Sequence, residues 1–417
     1  MNHVAAAAPG TPVRPPRSLT ALLTCAMACS MMQLFLLGAL GPRLVADLGV
    51  SPGGLGLAVT LGFGAAAVLS PVGGRVVDRV GPRACLTALF LVSAVALTLI
   101  GAAPGPGFLL GAVALGGLPQ ALANPATNRA ILAAVHPERR GAVTGLKQSG
   151  VQWGAFAAGL PLAALAGPVG WRPAVWLAAV AALGCAIWAL WVLPPDPAPR
   201  AGAGTAGGAG AGSPAGKGLG RGQGGDRTVP WLAAFSVLLG CGIASVNTYA
   251  ALYGTERLGF GPTAAGALVA VLGLAGIAGR IGWSRIAGRP DRAVRLPGAL
   301  AVGAVGATAL LGASDRVPVL VWAGVLAMGG CAVAGNAVSM VLVMQRAAPG
   351  RAGQDSALVS AGFFAGFALG PPLFGLLADA GRYGAGWLLV AAEFAAAAAI
   401  AGRWATHDRR ARAHERT

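Results

Sequence analysis

Polar side chains recurring at helical spacing inside long apolar runs are the first candidates for chemistry, because each is costly in a bilayer unless it is used. Gln120, Asn124 and Asn128 stand at i, i+4 and i+8 in one run, with Thr127 beside them. Gln148 and Gln152 repeat the four-residue step in the next run, with Lys147 adjacent. Gln33, Asn247 with Thr248, and Asn336 with Ser339 add polar positions in three other runs. Residues four apart share a helix face, so these amides form stripes that either bind a solute or tie helices together. For any one amide both readings stand. The combined stripes over 120–128 and 147–152 are read as the wall of a solute cavity.

Charge narrows the chemistry. Arg129, Lys147 and Arg280 fall within apolar runs, one to two turns from an end, where a long side chain can also snorkel to the interface. Lys147 is the best substrate contact of the three, because Gln148 and Gln152 extend its surroundings inward. Acids are scarce. Asp47, Glu256, Asp379 and Asp355 lie near run ends, and Glu393 alone is mid-run. His3, His136, His407 and His414 lie in tails or a loop, so a coupling proton is left open. The positive surplus favours a small anionic solute, which needs a fixed cation in a low-dielectric site. The six cysteines sit in or beside apolar runs with no CxxC, so neither disulfide nor metal is expected, and no cofactor. No GxxxxGK[ST] is present for direct ATP coupling. No loop gathers the acids, His or Cys that a membrane enzyme would need, so the chain is read as a non-enzyme.

The elements that must position these residues are membrane helices. The chain has 417 residues, of which 56% are hydrophobic and 10% charged, and its mean hydropathy is +0.70. A soluble domain carries about 25% charged residues, so a water-soluble enzyme is excluded. Twelve apolar runs cover 19–41, 53–73, 84–103, 107–134, 142–166, 172–194, 229–253, 263–284, 296–313, 317–345, 354–377 and 385–403. Each is near the ~20 residues that span a bilayer. The first is too long for the apolar part of a signal peptide and is kept as a mature helix.

The net charge of +17 would suggest nucleic acid in a soluble chain, but here the arginines cluster between apolar runs. They are read as orienting charges. With the N-terminus inside, 22 of the 30 Lys and Arg fall in inner segments and five in outer ones, leaving Arg129, Lys147 and Arg280 within spans. Both termini are therefore expected in the cytoplasm, the protein in the plasma membrane, and its partners are the lipid bilayer and a small molecule rather than nucleic acid. A monomer is expected.

Residues 196–228 are a Gly/Ala/Pro/Ser-rich stretch without an apolar face, which reads as a flexible cytoplasmic linker. The expected organisation is a tail over 1–17, a six-helix bundle over 18–195, the linker, a second bundle over 229–404 and a basic tail over 405–417. The halves echo one another. Adding 210 carries Gly56 to Gly266, Arg75 to Arg285 and Arg79 to Arg289; adding 212 carries Asn124 to Asn336, Gly150 to Gly362 and Gly154 to Gly366. Duplicated six-helix halves mark secondary transporters with a midplane site between the halves.

The loop Gly74-Arg75-Val76-Val77-Asp78-Arg79-Val80-Gly81-Pro82-Arg83 resembles the GxxxDRxGRR/K loop of the major facilitator superfamily, departing at Pro82, where a basic residue is usual. With the spans, linker and repeat, the resemblance covers about 18–405. It implies an all-α fold of twelve transmembrane helices in two pseudo-symmetric bundles. Helices 1, 4, 7 and 10 would line the cavity, and the loop would latch the outward-open state through Gly74, Asp78, Arg79 and Gly81. By itself, Asp78 can accept from helix N-termini or from arginines across the inner face, while Gly74 and Gly81 permit tight turns. The second copy has Gly288 where an acid would stand, which implies a weaker second latch. Antiporter members carry GxxxGPxxGG on the fifth helix; Gly150, Gly154 and Gly159 keep spacing only. The implied function is secondary active transport by alternating access. The alternatives are a drug or metabolite efflux pump of the same superfamily, or a receptor or scaffold that does not transport.

Overall fold

The computed structural model describes residues 17–196, 228–287, 293–346 and 352–414. Most of the expected linker (197–227), the tail before Arg17 and the second loop around Gly288 lie outside the described residues. Twelve helices follow in order: α1 Arg17–Leu48, α2 Pro52–Val80, α3 Pro82–Ala102, α4 over 106–134, α5 over 137–165, α6 Trp171–Val192, α7 Thr228–Glu256, α8 Pro262–Ala287, α9 Leu296–Ala313, α10 over 320–346, α11 Ala352–Asp379 and α12 Tyr383–His414. Eleven are long and apolar enough to span a membrane. The exception is α5, whose apolar run is interrupted by Lys147, Gln148 and Gln152. The basic segment from 405 begins as a continuation of α12, through His414.

Local chemistry sets the boundaries. Ser51 caps α2, its Oγ accepting from Gly54 N at 3.0 Å, and Pro52 fits the first helical position because it lacks the N–H that would go unpaired there. Gly81, at φ +97°, makes the sharp turn from α2 to α3, which an L side chain would strain. The duplication appears in the backbone as well. Gly49 and Gly259 take φ of +65° and +68° after α1 and α7, and Gly170 and Gly381 take +87° and +70° after α5 and α11. α4 breaks at Gly116, and α10 carries a π turn at the equivalent level, Gly329–Val333.

The packing shows where the bundle is closed. One apolar core runs through both halves around Leu37, Phe63, Trp171, Tyr249, Leu272 and Trp387. Towards the arginine-rich end it divides in two. Leu22, Leu86, Phe90 and Ile131 form a core inside the first half, and Leu232, Leu300, Leu342 and Trp404 another inside the second. The halves thus share an interior at one end and part at the other, leaving a cleft that opens at the arginine-rich end.

The shared end is closed by backbone approach across α1–α7, α2–α11 and α5–α8. A β-carbon at Gly38 would collide with the Asn247 carbonyl oxygen, one at Gly56 would lie 2.6 Å from Pro371 O, and one at Gly159 would collide with Ala270 N. Hydrogen bonds then tie the halves. Tyr249 Oη, 2.9 Å from Pro371 O in its own half, lies 2.8 Å from Pro52 O across the seam; Thr60 Oγ1 donates to Ala368 O at 2.7 Å, and Gly53 N donates to Asp379 Oδ1 at 2.9 Å. Arg43 reaches Thr263 Oγ1 at 3.2 Å.

Gly38→Ala should therefore push the closed end apart. Spin labels at Ala46 and Arg382 should report a longer mean distance than in the parent protein. Gly64→Ala is the control, since no atom lies within 4 Å of a β-carbon there, and it should leave the distance unchanged. Equal distances in all three proteins would mean that the glycine contacts do not set closure.

Candidate functional site

The cleft wall of the first half is built where α4 and α5 lie side by side. Lys147 is fully buried, and its Nζ donates to Thr127 Oγ1 and to Asn128 Oδ1, both at 2.6 Å. One position on, Gln148 Nε2 donates to Asn124 Oδ1 at 3.2 Å. The sequence forces this ladder: adjacent positions on α5 meet α4 positions one turn apart. Among the described residues no carboxylate faces the Lys147 ammonium, so its charge is met by neutral oxygens alone. Leaving such a cation without acceptors would cost several kcal/mol, and Thr127 and Asn128 supply two.

The ammonium also fixes an amide. It has donors only, so Asn128 must turn Oδ1 towards it and present Nδ2 elsewhere. Asn128 is exposed, so the wall offers N–H donors backed by a buried positive charge. Chemically, that arrangement can receive carboxylate, phosphate or carbonyl oxygens.

The other expected site residues divide. Gln152 is buried on α5 with Oε1 unpartnered, against α8 at Gly276. Gln33 and Gln120 are buried together deeper in the first half. Gln120 Nε2 contacts Met31 Sδ at 2.6 Å, and Gln33 packs on Gly116. The space between them is about 10 Å³, room for one water at most. Asn247 is buried in the α1–α7 seam, where Nδ2 donates to Ile243 O at 2.9 Å. Asn336, half-buried on α10, keeps an unpartnered Oδ1 in the second half, apart from the α4–α5 ladder.

Sequence reasoning weighed Arg280 and left it off the site. On α8 it lies two turns from Gly273, which packs on α5 at Gln152 and Ala155. Its own face therefore points towards α5 at the level of Gln148. Among the described residues its buried Nε has no hydrogen-bond partner. The sequence carried only the seven-residue step that puts Arg280 on the face of Gly273; that this face meets α5 is a tertiary property.

The latch residues lie on and after the last turns of α2. Among the described residues, Asp78 meets neither a helix N-terminus nor the second half: it pairs with Arg129 of α4 at 3.5 Å, both side chains more than half exposed. The N-terminus of α3 is instead capped by Asp196, which accepts from Arg83 N at 3.0 Å and Ala84 N at 2.8 Å. Asp196 is also why Gly81 must be glycine, since a β-carbon there would strike its carboxylate. Gly74 lies inside α2 and makes no turn. Arg79 is exposed at the end of α2.

With this geometry in hand, comparison with known proteins gives a consistent result. A sequence model described as Major Facilitator Superfamily matches residues 23–354. A bacterial homologue of the human lysosomal transporter Spinster, solved inward-facing and unoccupied, superposes with a TM-score of 0.76 at 15% identity, covering 94% of this chain and 98% of that one. The nucleoside transporter NupG superposes with a TM-score of 0.70 at 14% identity, covering 93% and 98%. At such identities these structures share the fold. No curated protein sequence matches significantly.

Proposed function

The chain belongs to the Major Facilitator Superfamily, and on that premise we propose that it is a secondary active transporter of a small anionic organic solute, working across the plasma membrane by alternating access. The observation that carries the anion is that each half holds a cation within its span with no carboxylate partner among the described residues. Lys147 on one wall has only neutral acceptors, and Arg280 on the other has an unpartnered Nε. A solute oxyanion seated between them would use Asn128 and Gln148 as donors and would draw the halves together. Glu393 is buried with Oε2 unpartnered, but it sits on α12, which packs on α7 and α9.

The arginine-rich end is proposed as cytoplasmic, which makes this conformation open to the inside. A single cysteine at 210 in a cysteine-free background should then label from the cytoplasmic side only. Labelling from outside intact cells would reverse the topology and every direction drawn from it.

Asp78 is proposed as part of a latch formed in the opposite, outward-open state, where the partner of the loop changes. Here its bond to Arg129 is an exposed pair, worth about 0–1 kcal/mol. Asp78→Asn should accordingly leave abundance and melting nearly unchanged while turnover falls severely. Turnover equal to the parent protein's would reduce the loop to an orienting charge.

The anion reading is tested by charge. Lys147→Gln and Arg280→Gln should each weaken an anionic substrate about thirtyfold, the cost of removing roughly 2 kcal/mol of buried charge interaction. A neutral analogue should lose little, and Lys147→Arg should retain part of the anion binding. A second reading, efflux of an amphipathic compound, is favoured by the aromatic floor of the cleft. There Phe63 packs on Phe367 at 4.7 Å and Phe364 at 5.9 Å between ring centres. Unchanged anion transport by Lys147→Gln would move the assignment to that reading.

A further inference from the structure

A second groove lies away from the cleft, on the membrane-facing side where α1 meets α5. It encloses about 630 Å³ and is lined by Arg17, Thr24, Arg139, Leu146, Ser149 and Trp153 among others. On α5, Leu146, Ser149 and Trp153 occupy the face turned away from α8, whose contacts run through Gln152, Ala155 and Gly159. The groove therefore opens to lipid, not to the solute path.

Its two ends differ in chemistry. Arg17 is the first residue of α1 and Arg139 lies in the first turn of α5, so both stand at the headgroup level of the same leaflet. Among the described residues neither has an acid partner. Deeper in, the two hydroxyls turn back on their own helices, Thr24 Oγ1 to Thr20 O at 2.9 Å and Ser149 Oγ to Leu146 O at 2.6 Å. That leaves an apolar floor ending on Trp153, which is 48% exposed. From Arg139 to Trp153 the helix rises about 21 Å, close to one leaflet with its headgroup layer. A paired positive mouth over an apolar channel one leaflet deep complements a single class of molecule.

We propose that this groove is a binding site for an anionic phospholipid. Its phosphate would sit between Arg17 and Arg139, and an acyl chain would run over Leu146 to Trp153. Basic pockets between membrane helices hold anionic headgroups by this combination. The site is independent of the solute reading, and it requires only that both arginines lie in one headgroup layer.

The full-length chain in phosphatidylcholine nanodiscs, titrated with brominated phosphatidylglycerol, provides the test. Tryptophan fluorescence should be quenched at low phosphatidylglycerol content, and Trp153→Phe should remove that component. Arg17→Gln/Arg139→Gln should require about thirtyfold more lipid, from roughly one favourable contact energy per arginine. Arg17→Lys/Arg139→Lys should retain binding and shows that a charge, not an intact fold alone, is what matters. Equal quenching by brominated phosphatidylcholine would overturn the proposal, as would an unaffected double glutamine variant. Displacement of the lipid by glycerol phosphate at equal concentration would also overturn it, in favour of a soluble phosphate ester site.

Discussion

The close approach of backbone to backbone at Gly38, Gly56 and Gly159 is the constraint on which the rest of this structure depends. In a bilayer the hydrophobic effect does not drive helices together, because lipid is as apolar as leucine. Association relies on dispersion, which needs contact at short range, and on hydrogen bonds. Removing side chains where the halves cross allows both. Thr60 and Tyr249 then reach carbonyls of neighbouring helices, and those bonds exist only because the helices are close enough. Because the seam occupies one end only, the halves share one core there and keep separate cores at the other. The cleft is the geometric remainder.

The same arrangement explains how α5 tolerates polar residues that would be costly against lipid. Lys147 faces α4, Gln152 faces α8, and the large side chains that α5 leaves exposed are apolar: Leu146, Trp153 and Leu160. A buried ammonium met by a hydroxyl and an amide keeps its charge uncancelled at short range, so its field extends into the cleft. A carboxylate partner would have bonded it more tightly and silenced that field. The wall is thus chemically committed before any solute arrives.

How much of this was legible in the sequence follows from what period and offset encode. The spans, the duplicated halves and the polar face of α5 rest on local pattern, and the paired positive-φ glycines repeat the same offset in the backbone. Partners were harder. Spacing put Asn124, Asn128, Lys147 and Gln148 on facing stripes, yet it could not tell that Gln33 and Gln120 turn into a closed gap or that Asn247 belongs to the seam. A helical period fixes the face of a side chain; which helix opposes that face is a tertiary property. Asp78 is the clearest instance. The arginine it pairs with lies 51 positions away on α4, and the helix end that an acid could have capped is already taken by Asp196.

These features also bear on motion. Each half retains its own core at the arginine-rich end, so the halves can rotate as bodies without unpacking. What must break at the closed end is small in number and mostly directed at backbone carbonyls: Pro52, Ala368 and Ala163. Those carbonyls and their donors can take up water when that end opens, which returns much of what each bond contributes, about 0.5–1.5 kcal/mol net. An exchange held by few such ties, and by glycine contacts that carry no interlocking side chains, keeps the two states within a few kcal/mol of one another. Under the proposed anion reading, a solute that binds the cations of both walls then has enough leverage to choose between them.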